Sequence, residues 1–164
     1  MTTRTDFTDE EWERLSRAPL VAGMAISIAD PGGPIEAFKE TNAALRTIVQ
    51  DGQEGKFGEL VKQIGQDVAE RGRHRENPMH GFRPRGADAR DEILDELRAV
   101  NALLEQKLTP EEADQFREWL KTAAQRTALA AKEGGFLGFN AQRVSEGEQQ
   151  MLDRLGEIFG GPAT

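Results

Sequence analysis

The 164-residue sequence predicts an all-α fold, a single orthogonal helical bundle of about seven helices. Three observations support this fold class. Apolar residues recur at steps of three and four, hydroxyl residues precede glutamates by three positions, and prolines and glycines stand where helices start and end. The apolar stripes do not alternate in the manner of strands. Because a chain of this length is one ordinary domain, we treat residues 1–164 as a single unit.

Capping boxes and helix-breaking residues set the predicted boundaries. In a capping box the hydroxyl accepts from the third amide of the helix, and the glutamate carboxylate accepts from the cap amide. Pro19, Pro34 and Pro110 occupy first-turn positions, whereas Gly52 and Gly72 are typical of helix ends. The boxes are Thr8 with Glu11, Thr109 with Glu112 and Ser145 with Glu148, and the predicted helices are 8–17, 19–30, 34–51, 56–71, 88–108, 110–133 and 146–159.

Side-chain size indicates how some of these helices pack. The stripe in 88–108 is the longest regular one, which predicts that this helix is the central rod of the bundle. Small residues dominate two other stretches, so we expect those helices to approach each other closely. The small residues are Ala22, Gly23, Ala25, Ser27 and Ala29 on one helix and Ala123, Ala124, Ala128, Ala130 and Ala131 on the other.

An internal pseudo-duplication is a further possibility. The stretch from Thr8 to Gly33 and the stretch from Thr109 to Gly135 share one order: a capped helix, an alanine-rich turn and a double glycine, followed by another helix. A true repeat predicts pseudo-two-fold packing. The alternative is that two unrelated units use the same helix-forming pattern.

Composition excludes several classes of protein. Without cysteine the chain has no disulfide, thiolate nucleophile or cysteine-ligated zinc. A net charge of −8 and an isoelectric point near 4.9 argue against a broad nucleic-acid surface. The N-terminal residues lack the apolar core of a secretory signal, and the longest apolar run is too short for a membrane span, so we expect a cytoplasmic protein.

One segment reverses the sign of the charge. Residues 71–86 contain five arginines and one glutamate, a net charge of +4 that leaves −12 on the rest of the chain. Pro78 and Pro84 prevent a helix, so the basic loop (residues 71–87) must be a long connection. Either it docks an acidic partner, a nucleotide or an RNA phosphate, or it is a solvated linker whose arginines pair with the protein's own acidic helices. The candidate residues are Arg71, Arg73, His74, Arg75, His80, Arg83 and Arg85.

The remaining motifs favour contact surfaces over catalysis. Phe136, Leu137 and Phe139 either pack back over the bundle or form a hydrophobic contact for a partner protein. The two histidines lack metal-motif spacing, and the three serines lack a nucleophile elbow. The acidic residues between 88 and 96 fit the ordinary preference of a helix N-terminus. The sequence therefore favours a binding protein over an enzyme.

A short turn resembles that of the tellurite-resistance TerB-like proteins, which are all-helical bacterial domains. It reads Ala29-Asp30-Pro-Gly-Gly-Pro-Ile-Glu36 and leads into a helix, and 131–146 is similar to a divergent second copy. The resemblance implies a stress-associated domain that binds metal or partner proteins through Asp30 and Glu36. Pro31 interrupts the Asp-Gly of that motif, and Lys132 replaces the second Asp.

We therefore predict a bacterial cytoplasmic, non-enzymatic binding module, possessing no cofactor, that uses its basic loop to hold an acidic or phosphate-bearing partner. The alternative is a TerB-like protein that binds a metal or a small ligand between carboxylates, with Asp30 and Glu36 as the candidate ligands.

Overall fold

Six α-helices and no strand make up residues 1–29, 34–133 and 146–160, the parts of the chain that the computed structural model describes. They form one bundle, which confirms the all-α prediction. Short 3₁₀ helices lie at Arg4–Asp6 and Gly86–Asp88. The α-helices are α1 (Asp9–Ala29), α2 (Pro34–Glu54), α3 (Glu59–Arg73), α4 (Ala89–Lys107), α5 (Pro110–Glu133) and α6 (Glu146–Phe159).

The predicted break at Pro19 is wrong, because α1 runs without interruption through this residue. Proline inside a helix removes the amide that would bond to the carbonyl four residues earlier, here Leu15, at a cost of about 3 kcal/mol. Packing overrides that cost, since Leu15, Pro19 and Val21 are all buried in the bundle. Seven predicted helices thus become six in the described ranges.

The predicted central rod is also wrong. The centre of the bundle is the pair α1 and α5, and each of these two helices contacts all four of the others, whereas α4 packs chiefly against α1, α5 and α6. The alanine-rich faces meet as predicted. A Cβ placed on Gly23 would lie 2.8 Å from the Thr127 hydroxyl oxygen, so the Thr127 side chain of α5 occupies the space that a side chain at position 23 would need.

Helices α1 and α5 run in the same direction. Their N-terminal ends lie at the same end of the bundle. Lys107, the last residue of α4, reaches the capping residue Glu11 of α1, and Thr2, in the segment before the first 3₁₀ helix, reaches Glu112 of α5. About one dozen residues farther along each helix lies the Gly23 contact described above. Helices α2 and α3 contact both members of this pair, and so do α4 and α6.

Two of the three predicted capping boxes lie in the described ranges, and both are present. The Glu11 amide donates to the Thr8 hydroxyl at 3.2 Å and the Thr8 amide donates to the Glu11 carboxylate at 2.8 Å. In the second box the Glu112 amide donates to the Thr109 hydroxyl at 3.3 Å and the Thr109 amide donates to the Glu112 carboxylate at 3.1 Å. Ser145 lies outside the described residues.

Each capping carboxylate is held by a further donor from the other half of the chain. The Thr2 amide and hydroxyl both donate to Glu112 at 2.8 Å. The hydrogen bond from the Thr2 amide is the main reason why the pKa of the Glu112 carboxyl is lowered to about 2. The Lys107 ammonium donates to Glu11 at 2.7 Å and lowers the pKa of that carboxyl in the same way. These bonds tie the N-terminal segment to the start of α5 and the end of α4 to the start of α1.

Helices α2 and α3 cross at a pair of glycines. A Cβ on Gly52 would lie 2.6 Å from the Cα of Gly65, and a Cβ on Gly65 would lie equally near the Cα of Gly52. No side chain fits between these backbones. Gly52, predicted to end α2, therefore lies inside the helix because the crossing needs a residue without a side chain there.

We expect Gly52→Ala and Gly65→Ala each to lower the free energy of unfolding by about 1–3 kcal/mol, because the added methyl forces two backbones apart. This loss outweighs the gain in helix propensity of up to about 1 kcal/mol. Gly72→Ala in α3 is the matched control, since its Cβ would meet nothing within 4 Å. It should leave stability equal or slightly higher in urea unfolding followed by circular dichroism. Equal effects at all three sites would contradict the close crossing.

The carboxylate of Glu112 gives a pH-dependent prediction. Glu112→Gln should lower the free energy of unfolding at pH 7 by about 1–2 kcal/mol, because charge-assisted hydrogen bonds become neutral ones. Since the pKa of Glu112 is about 2 in the folded chain and 4.5 in the reference state, its stabilisation is complete above the higher value and is lost as the pH falls toward the lower. The difference between the two proteins should therefore narrow between pH 5 and pH 3 in urea titrations.

Matched controls are available one residue earlier in each cap, where Glu10 and Glu111 are exposed. Glu10→Gln and Glu111→Gln should leave stability nearly unchanged, whereas Glu11→Gln should act in the same direction as Glu112→Gln. A Glu112→Gln effect that persists undiminished at pH 3 would contradict the lowered pKa.

Candidate functional site: a basic loop anchored to the bundle

The basic loop begins inside helix α3, whose last turn ends at Arg73 rather than at Gly72. The Glu76 amide donates to the Arg71 carbonyl and the Arg75 amide donates to the Gly72 carbonyl, both at 3.1 Å. This pair of bonds is a Schellman motif, in which the residue after the cap adopts a left-handed conformation. That residue is Arg75, with φ of 56°, at a position where glycine is usual.

Local turns fix the backbone of the loop after this cap. The Asn77 side chain accepts from the Met79 amide at 2.9 Å, and the Asn77 carbonyl accepts from the His80 amide at 3.1 Å. A second turn follows, in which the Phe82 amide donates to the Met79 carbonyl at 3.0 Å. Its central residues, His80 and Gly81, have φ of 50° and 82°, the signs of a type I′ turn.

Side chains of the loop anchor it to the bundle. Met79 and Phe82 pack against the hydrophobic core. The Arg17 guanidinium of α1 lies 5.3 Å from the centre of the Phe82 ring, within range of a cation–π interaction. Arg17 is itself held in place, because its Nη2 and Nε donate to one oxygen of Glu96 in α4 at 2.7 and 2.9 Å. The loop therefore rests on an ion pair that joins α1 to α4.

His80 is the most enclosed polar group of the loop, with a side chain only 8% exposed. The Arg71 guanidinium donates to its Nδ1 at 3.3 Å, and Arg71 also bonds to Asp67 at 2.9 Å. Asp67 accepts from the indole nitrogen of the buried Trp12 at 3.1 Å. From α1, a Glu13 oxygen lies 3.8 Å from the same Nδ1. These contacts join the loop to α3 and α1.

The charged residues predicted for the basic loop divide into two groups. Arg71, Arg73 and His74 are engaged by the protein's own carboxylates, with Glu70 contacting the last two at 2.9 and 3.3 Å. The side chains of the other three arginines are exposed and make no ion pair or hydrogen bond with any part of the chain that the structure describes: Arg75, Arg83 and Arg85. Internal pairing, the second interpretation, thus accounts for Arg71, Arg73 and His74, and docking stays a prediction for Arg75, Arg83 and Arg85.

Other candidates from the sequence are not brought into a site. Asp30 lies outside the described residues, as do Phe136, Leu137 and Phe139, and of Glu36 only its place in α2 is described. Within the described ranges no group of three or more histidine, aspartate or glutamate side chains could hold a metal ion. Along the acidic start of α4, Asp95 pairs instead with Arg98 at 2.9 Å.

A further cavity of the described residues lies away from the loop. A shallow cleft of about 340 Å³ lies between α5 and α6, and its lining mixes Lys121 and Asp153 with amides and aliphatic carbons but contains no histidine or serine. In the described helices no stretch is both long and apolar enough to cross a bilayer.

Sequence reasoning missed the residues that hold the loop. Glu13 and Arg17 belong to α1, more than sixty positions before Phe82, and no local pattern connects them. Phe82 offered a signal, because a large aromatic residue in an otherwise polar loop is typical of an anchor.

No protein-family model, curated protein or solved structure matches the chain. The resemblance to TerB-like proteins, and the stress association and metal site that it implies, therefore stay predictions.

The left-handed conformation of Arg75 gives a prediction. The left-handed conformation destabilises the folded state by about 1–2 kcal/mol for a residue with a side chain, but not for glycine. Arg75→Gly should therefore raise the free energy of unfolding by about 1 kcal/mol, or the midpoint of thermal unfolding by about 2–4 °C. Arg73→Gly is the control, since residue 73 is helical and glycine there should cost up to about 1 kcal/mol. A destabilised Arg75→Gly variant would contradict the Schellman geometry.

Proposed function

We propose that the protein is a non-enzymatic interaction module that binds an acidic segment of a partner protein through Arg75, Arg83 and Arg85. One observation carries the proposal. These three guanidinium groups are exposed and unpaired within the described ranges, on a loop whose backbone is fixed by turns and whose Phe82 and Met79 contact the core. A bacterial cytoplasmic setting remains part of the proposal on sequence grounds alone.

Arginine suits this task because its planar guanidinium binds a carboxylate through two parallel hydrogen bonds. A partner carboxylate need not displace an internal acid from Arg75, Arg83 or Arg85, whereas it would have to do so at Arg71 or Arg73. The turns at Asn77 and Met79 hold the backbone before binding, so less conformational entropy is lost when a partner docks. Both features favour binding over mere solvation of a linker.

The charge distribution favours a short acidic peptide segment over nucleic acid. Outside residues 71–86 the chain carries −12, so a long phosphate backbone leaving the loop would meet a repulsive surface. A short acidic segment can contact the loop alone. The acidic body also repels acidic partners that approach it anywhere else, which directs them to the loop.

Replacement of three arginines tests the proposal. Arg75, Arg83 and Arg85 are changed together to Ser, and the affinity for a rhodamine-labelled hexa-aspartate peptide is measured by fluorescence anisotropy. Three exposed ion pairs of about 0.5–1 kcal/mol each predict a loss of at least about tenfold. The control changes Arg46, Arg98 and Arg154 together to Ser, three exposed arginines outside the loop that give the same change in net charge.

The control triple should keep the affinity within about twofold, because salt screens charges at a distance. Equal losses in both triples would overturn the loop as the docking site. No binding of the hexa-aspartate peptide would overturn the proposed function. Tighter binding of a six-residue oligothymidylate than of the peptide would overturn the class of partner.

We also propose that the helix pair α1–α2 and the helix pair α5–α6 derive from one duplicated unit, and that the helices pack as the orthogonal bundle predicted from the sequence. The reciprocal bonds at Glu11 and Glu112, the common direction of α1 and α5, and the contacts of α2 and α6 with both central helices support this. Comparable responses to Glu11→Gln and Glu112→Gln are expected from equivalent caps. A loss of stability at only one of them would count against the duplication.

A further inference from the structure

The side chain of His80 lies where the basic loop meets helices α1 and α3. Four charged groups surround it: Arg71 and Asp67 belong to α3, and Glu13 and Arg17 belong to α1. From the loop itself, Glu76 lies 3.6 Å from Arg71. Neighbouring Phe82 carries the contact with Arg17. A change in the charge of His80 therefore acts on a contact that attaches the loop to α1 and α3.

The contact between Arg71 and His80 requires a neutral imidazole. A guanidinium can only donate, so Nδ1 of His80 must accept, and the imidazole proton lies on Nε2. A second proton on Nδ1 would point at the Arg71 guanidinium, and a hydrogen bond would become a repulsion between two cations. The Glu13 carboxylate, 3.8 Å from Nδ1, is the negative charge on α1 that would attract the protonated imidazole.

We propose that His80 is a pH-responsive latch, which holds the basic loop against α1 and α3 while its imidazole is neutral and releases the loop when the imidazole takes up a second proton. The backbone contributes to this behaviour. His80 occupies a left-handed conformation with φ of 50°, which a residue with a side chain adopts only under constraint, so release of the side chain also relieves the turn.

The direction of the pH dependence follows from the surroundings of the imidazole. Burial, with a further contribution from Arg71, lowers the pKa of His80 below its ordinary value of 6.5, and Glu13 opposes this only in part. A base whose pKa is lowered in the closed loop stabilises that loop above its ordinary pKa, and the stabilisation is lost as the pH falls below it. Acidification from pH 7.5 to pH 5.8 should therefore shift the loop toward release.

Release regulates the proposed docking function, and this part of the inference rests on that function. Arg83 and Arg85 follow the latch directly, and Arg75 precedes it by five residues. A loop that has lost its attachment must be ordered again when a partner binds, so affinity for an acidic segment should fall as the latch opens. Hexa-aspartate remains ionised throughout this pH range, so the probe itself does not change.

Amide hydrogen exchange of the full chain measures the latch without any ligand. The amides of His80 and Phe82 are hydrogen-bonded within the two turns and report their closure. We expect their protection factors, corrected for intrinsic exchange, to fall by about threefold or more between pH 7.5 and pH 5.8. His80→Asn should remove this change, since asparagine tolerates the left-handed conformation, offers an oxygen to Arg71 and does not titrate.

His74→Asn is the matched control, because His74 is exposed and its replacement leaves the latch intact. Protection that is equal at both pH values in the unchanged protein would overturn the latch, and so would an undiminished fall in His80→Asn. The hexa-aspartate affinity, measured in the same buffers, should fall in the unchanged protein, by no more than the fold-change in protection, and stay constant in His80→Asn. If protection falls but the affinity stays the same, only the regulatory role is overturned. If the peptide binds at neither pH, the docking function is overturned, and the hydrogen-exchange result alone decides whether the latch exists.

Discussion

The close contact between α1 and α5 is the interaction on which the other helices depend. Each of α2, α3, α4 and α6 packs against both members of this pair. Alanine, glycine and threonine line the contact around Gly23 and Thr127. The large buried side chains of the same two helices, Trp12 of α1 and Phe116 and Trp119 of α5, fill the core beside it.

Polar groups determine which helices lie beside that pair. Glu96 of α4 is only 8% exposed and is bonded to Arg14 and Arg17 of α1. Asp51 of α2 is fully buried and pairs with Arg126 of α5 through both oxygens, at 3.1 and 3.2 Å. A buried ion pair adds little net stability, but either charge left alone costs several kcal/mol. Separation of α4 from α1 would leave the buried Glu96 without Arg17, and separation of α2 from α5 would leave the buried Asp51 without the partly exposed Arg126. These pairs therefore disfavour other packings of the same amphipathic helices.

The sequence predicted what local patterns determine and failed where tertiary packing decides. Capping boxes at Thr8 and Thr109 depend on residues three positions apart, and their bonds were correctly predicted. Pro19, read as a helix start, is carried inside α1 because burial on both sides outweighs one lost hydrogen bond. Gly52 was read as a helix end because the sequence does not show that Gly65 crosses it.

In the candidate site, too, the sequence predicted the features that local patterns determine and missed the contacts between distant residues. The basic charge of the loop was readable from composition, and its length from Pro78 and Pro84. The pairing of Arg71 with Asp67 follows the ordinary spacing of four residues along a helix. Which other arginines of the loop pair with the protein's own carboxylates could not be predicted from the sequence. The anchors on α1 could not be found, because contacts between Glu13 or Arg17 and the loop arise only when α1 and α3 pack together.

Two residues of the loop stand at positions where glycine would be less strained, and the docking and latch roles that we propose give a reason for both. Glycine at position 75 or 80 would adopt the left-handed conformation without the cost that arginine and histidine pay there. His80 recovers part of that cost through Arg71. Arg75 makes the Schellman bond from its amide to the Gly72 carbonyl, but its guanidinium makes no polar contact with the parts of the chain that the structure describes. Glycine at position 75 could make the same backbone bond with less strain, so the docking role that we propose for Arg75, with the exposed Arg83 and Arg85 of the same loop, gives a reason for an arginine there.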